Sequence, residues 1–137
     1  MSTDVSTLPG QPLACRAINV AAWAITGLFA AMMTLSGALL LIAPPPVVER
    51  LGELGYPLYF LKFLGLAKLL GVVGLLLPRR PTLREWAYAG FTFDLLAGAA
   101  SHAATGGASQ APGALLALAL MLASYFLRRR RSAEARG

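Results

Sequence analysis

GFTFDLLAGAASHAATG, Gly90 to Gly106, has the apolar character of a membrane-spanning helix yet carries Asp94 and His102. An ionised side chain at the centre of a bilayer costs several kcal/mol unless it is paired. The stretch therefore calls for a cation at the depth of Asp94, on a neighbouring helix that faces it.

The rest of the chain supplies the setting. Of its 137 residues 57% are hydrophobic and only 13% charged, where soluble domains average about 25% charged. This is the composition of one membrane-embedded domain. The net charge of +6 does not indicate nucleic acid, because the arginines gather at PRRPTLREW and LRRRRSAEARG, beside long apolar runs, where they act as topology signals. The C-terminal arginines could meet anionic lipid, but topology alone accounts for them. The single cysteine, Cys15, excludes an intramolecular disulfide and a CxxC redox or thiolate metal site. No clustered ligands suggest a metal. Haem ligation would need His102 together with a methionine such as Met32, Met33 or Met121, and nothing specifies that set.

Working outward, the hydropathy pattern predicts an all-α integral membrane four-helix bundle. Residues 1–16 read as a flexible cytoplasmic tail, residues 17–127 as the transmembrane domain and residues 128–137 as a basic cytoplasmic tail. The predicted helices cover about 17–43, 57–77, 86–104 and 112–127. The first is too long for a signal-peptide core and reads as a retained anchor. With four crossings, Arg16, the Arg79–Arg80–Arg84 cluster and Arg128 to Arg131 all fall on one side, which the positive-inside rule makes cytoplasmic. Both termini are expected there. Pro44 to Pro46 stop the first helix and stiffen the external loop. Trp86, Tyr88, Tyr125, Phe126, Tyr56 and Tyr59 fit interfacial belts.

The partner for Asp94 is Lys68. At roughly 1.5 Å per residue both lie near the bilayer midplane, on helices joined by a short loop and hence packed as neighbours. Gly90, Asp94 and Gly98 share one face with Ser101 and His102 beyond, and the small residues are expected to let another helix approach. Ala67, Gly71 and Gly74 form a similar patch around Lys68, and Gly27, Ala31 and Thr34 repeat at matching spacing on the first helix. Lys62 and His102 share a second level, roughly 9–12 Å nearer the outside, where Lys62 can also snorkel. A buried Lys68–Asp94 pair can fix helix register or exchange protons with a ligand, with Ser101 and His102 as an outer relay.

These residues resemble the DoxX-like family of small four-helix bacterial membrane proteins. The likeness runs over LGYPLYFLKFLGLAKLLGVVGLLLPR and LREWAYAGFTFDLLAGAASHAATGG: Lys68 with Gly71, the exit Leu76 to Pro78, the start Glu85 to Phe91, then Phe93 with Asp94 and Ser101 with His102. The resemblance implies a multi-pass protein of the bacterial inner membrane, associated in some relatives with membrane oxidoreductases and quinones. Three functions remain open. The chain could bind or act on a quinone or another small lipid-soluble ligand at the Lys68–Asp94 pair, within an oxidoreductase system whose electrons come from a partner protein. It could be a non-enzymatic accessory or assembly subunit of a larger membrane complex. It could conduct protons or a solute, which would require a homo-oligomer.

Overall fold

The computed structural model describes residues 13–77, 79–106, 109, 111–134 and 136. Among them are five helices: α1 (Leu13–Ile42), α2 (Pro45–Glu53), α3 (Leu58–Leu76), α4 (Pro81–Ala104) and α5 (Ala111–Glu134). The all-α expectation holds, with one helix more than the hydropathy pattern gave.

The four long helices form a ring in the order α1, α3, α4, α5, each packed against the next and α5 closing on α1. Contacts at two depths fix the directions. Ser36 meets Lys68 while Leu40 packs on Gly65, so α1 and α3 are antiparallel. Lys68 meets Asp94 while Gly74 packs on Ala87, so α3 and α4 are antiparallel as well. Thr26 and Tyr88 both reach Ser124, and Arg128 reaches back to Thr26, which sets the start of α1 beside the end of α5.

Three of these helices, Leu13–Ile42, Leu58–Leu76 and Pro112–Ala133, are long and apolar enough to cross a membrane. The fourth, α4, has 24 residues and sufficient length, but Arg84, Glu85, Asp94 and His102 dilute its apolar content. Of the four spans expected, three are this apolar, and the polar side chains that single out α4 are what lower its hydropathy.

Helix limits differ from expectation in physically simple ways. Residues 1–12 of the expected tail lie outside the described residues, whereas Leu13 to Arg16 are the first turn of α1. At the other end α5 continues to Glu134 through Arg128 to Arg131, because arginine is a good helix former and Arg128 and Arg131 both lie over the Trp23 ring, 4.9 and 5.9 Å from its centroid. α2 is new. Proline ends α1 after Ala43, which turns to φ 50°, but Pro45 also starts a helix comfortably, since the first turn has no use for its missing N–H.

The core occupies the end of the bundle that holds the termini of α1 and α5. Phe29, Met33, Val72, Leu75, Phe91 and Met121 are its buried members, with the Phe29 and Phe91 rings edge to face at 5.2 Å. Many large apolar side chains instead point outward, among them Leu35, Phe63, Leu70, Phe93 and Leu116. That is the surface of a protein whose solvent is lipid.

Candidate functional site

Above the core the helices part around a cavity of about 630 Å³ lined by residues of all five helices. Its floor is the Lys68–Asp94 pair. Nζ of Lys68 lies 3.2 Å from Oδ2 of Asp94, as their common depth predicts. Burial differs from expectation: the two side chains keep 12% and 14% of their surface exposed. The pair is half-buried, because it lines the cavity on one side and a groove of about 340 Å³ between α3 and α4 on the other. The contact is an ion pair without hydrogen-bond geometry, since Oδ2 of Asp94 is shielded and accepts no hydrogen bond among the described residues. Lys68 Nζ donates instead to Ser36 Oγ of α1 at 3.1 Å. Ser36 thus ties a third helix to the pair, a role that a lone serine in an apolar span does not advertise in sequence.

The glycines around Asp94 act differently from expectation. A side chain at Gly90 or Gly98 would meet nothing within 4 Å. No helix approaches there; Gly98 keeps the cavity open and Gly90 keeps the lateral groove open. Gly27 likewise faces open space. The true close approach is the α1–α3 seam, where a Cβ on Gly65 would stand 2.7 Å from the Gly37 carbonyl oxygen and one on Gly37 would stand 3.0 Å from that of Gly65. Gly71 makes room for the Phe91 ring, 2.8 Å from its would-be Cβ.

Ser101 and His102 line the same cavity toward its mouth, as expected of an outer level. Lys62 does not join them: it is exposed and lies outside the cavity lining. The mouth holds two further residues, Tyr56 and Arg50. α2 ends in a Schellman turn, with Tyr56 N–H donating to the Leu51 carbonyl at 3.1 Å and Gly55 N–H to that of Gly52 at 2.9 Å. The turn requires the positive φ of Gly55, 84°. It brings Tyr56 to α4, where its hydroxyl and Ser101 Oγ are 2.6 Å apart. The loop after α1 therefore folds across the opening and carries Arg50 with it.

The cavity wall is mostly apolar, with polar groups at two stations. One, at the floor, offers an ammonium, a carboxylate and a hydroxyl. The other, at the mouth, offers Arg50, Tyr56, Ser101 and His102. Apolar walls with a few convergent polar groups are the usual form of a small-molecule site. Among the described residues no group of three His, Cys, Asp or Glu side chains could hold a metal ion.

Comparison with known proteins finds one family. The family model described as the DoxX-like family matches residues 24–124, from Ala24 of α1 to Ser124 of α5. No curated protein and no solved structure matches the chain.

Proposed function

The chain belongs to the DoxX-like family, and for this member we propose that it binds a small lipid-soluble ligand with a polar head, of the quinone type, in the cavity above Lys68 and Asp94. The observation that carries the reading is the convergence of Lys68, Asp94, Ser101 and His102 on one apolar-walled cavity of about 630 Å³. A lysine ammonium has three donors; Ser36 accepts one and Asp94 faces another, which leaves a third for a ligand carbonyl. Asp94 accepts from a ligand hydroxyl. A carboxylate can take a proton from a bound hydroxyl and an ammonium can give one to a carbonyl, so in this reading the pair serves as a proton-exchanging couple and Ser101 with His102 as its relay toward the mouth. The lateral groove beside the pair supports access from the lipid, since Gly90 leaves it open.

In the same reading α4 crosses the membrane as the fourth span, with Asp94 neutralised by Lys68, and both termini lie in the cytoplasm of a bacterial inner membrane. The clustering of arginines at one end of the bundle supports that orientation.

Native mass spectrometry with lipid extraction, on wild type beside Asp94→Asn, tests the proposal. A hydrophobic molecule retained by the wild type and lost from the variant is the expected result. Equal ligand content in both proteins, or none in either, would overturn it and leave the pair a structural tie.

A further inference from the structure

At the opposite end of the bundle from the cavity mouth, α4 and α5 line a further pocket, of about 330 Å³. Arg84, Arg128, Arg129 and Arg136 line it together with one acid, Glu85. Two of these guanidinium groups are not satisfied. Nε of Arg84 and Nη2 of Arg128 are shielded from solvent and have no hydrogen-bond partner among the described residues. A buried donor left unmade is costly, and a donor of a charged group more so. Two such atoms on facing helices, in one pocket with an excess of positive charge, point to an acceptor that belongs between them.

The pocket is built rather than incidental. Arg128 is held on two sides: its Nε donates to Thr26 Oγ1 at 3.1 Å, and its plane lies 4.9 Å from the Trp23 ring centroid. That hold fixes the guanidinium and leaves Nη2 without a described acceptor. Among the described residues Arg84 donates to the Leu77 carbonyl, at 3.5 Å. Tyr88 and Tyr125, with rings 5.2 Å apart, line the same pocket.

We propose that this pocket binds a phosphate oxyanion. A tetrahedral phosphate has the acceptors and charge to meet both guanidinium forks at once. The headgroup of an anionic phospholipid is the source its position favours. Exposed Trp86 and Phe126 lie on the same two helices close to the pocket, as aromatic side chains do at the headgroup level, so acyl chains can run down the apolar flank of the bundle.

The test titrates full-length protein in dodecyl maltoside with short-chain phosphatidylglycerol, phosphatidylcholine and inorganic phosphate. Phosphatidylglycerol is expected to bind saturably and at least tenfold more tightly than phosphatidylcholine. Arg84→Gln and Arg128→Lys should each weaken it about tenfold. Arg16→Gln, which removes the same charge outside the pocket, should not. Arg128→Lys keeps the charge while removing the guanidinium fork, and far-UV circular dichroism of each variant guards against a folding defect. Competition by inorganic phosphate identifies the oxyanion as the recognised group. Phosphate that binds in an Arg84-dependent way, with the lipid no better than phosphatidylcholine, assigns the pocket to the free ion. Indistinguishable binding of the two lipids with no phosphate binding, or equal losses for Arg16→Gln and Arg84→Gln, would overturn the proposal.

Discussion

The same substitution made at two glycines separates the seam that closes the bundle from the space that the ligand would fill. Gly65→Ala puts a methyl group 2.7 Å from the Gly37 carbonyl oxygen and 3.0 Å from Leu40 Cβ. The first obstacle is backbone, so α1 must recede by about 0.7 Å to restore ordinary contact at 3.4 Å. Overpacking of this kind costs about 1–3 kcal/mol. Gly98→Ala meets nothing within 4 Å and carries no such term. Each substitution also gains about 1 kcal/mol of helix propensity, and this gain cancels when the two variants are compared. Gly65→Ala should therefore be less stable than Gly98→Ala by about 1–3 kcal/mol. Detergent–SDS titration in mixed micelles, followed by far-UV circular dichroism, measures the difference. Gly98→Leu extends the test to function: the larger side chain enters the cavity between the levels of Asp94 and His102, so the fold should survive while the co-purified ligand is lost. Equal stability of the two alanine variants would refute the assigned seam, and full ligand retention by a folded Gly98→Leu would refute the cavity as the site.

Two further outcomes follow from the other end of the bundle and from its orientation. Ser124 Oγ lies 2.5 Å from the Thr26 hydroxyl and 2.8 Å from that of Tyr88, in a buried cluster, so Ser124→Ala should cost about 1–3 kcal/mol and Tyr88→Phe only about 1 kcal/mol. The same SDS titration checks this, and a Ser124→Ala variant as stable as wild type would show that the hydroxyls satisfy one another without it. For topology, Glu53→Cys in a Cys15→Ser background should react with an impermeant maleimide in intact spheroplasts; labelling only after permeabilisation would reverse the assigned sides.

How much of this was legible in sequence depended on the kind of physics involved. Lys68 and Asp94 could be matched because charge is conspicuous in an apolar helix and depth follows from a fixed rise per residue. Ser101 and His102 followed from the same face. Packing faces were harder. α1 and α3 are apolar on nearly every side, so no amphipathic pattern tells the inner face from the lipid face, and Gly27 looks no different in sequence from Gly37 and Gly65, where the contact lies. Small residues are ambiguous for a related reason: a glycine that lets a helix approach and a glycine that keeps a space open look identical in sequence. α2 was hidden by its prolines, which stop one helix and start another. Ser36, Tyr56 and Arg50 carry no sequence signal, because their part depends on which helix lies opposite.

The distribution of packing along the bundle bears on the ion pair itself. One half is closed, with Phe29, Leu75 and Met121 almost wholly buried and Thr26, Tyr88 and Ser124 bonded across three helices. The other half is open, its helices held by the Gly37–Gly65 seam and by the Tyr56–Ser101 contact at the mouth. Lys68 and Asp94 stand where the two halves meet. A pair needed only to set register would be best sealed in the closed half, where removing water strengthens the attraction. A pair serving only solvation would lie at the mouth. At the boundary it keeps a shielded oxygen against Lys68 and a small exposed fraction toward two open spaces, the arrangement that the proposed ligand would use. On the proposed function the closed half supplies the rigidity that a binding site requires, since contacts loosened by about 1 Å bind poorly. On that reading, stability and binding fall in different halves of a single bundle, with Lys68 and Asp94 at their junction.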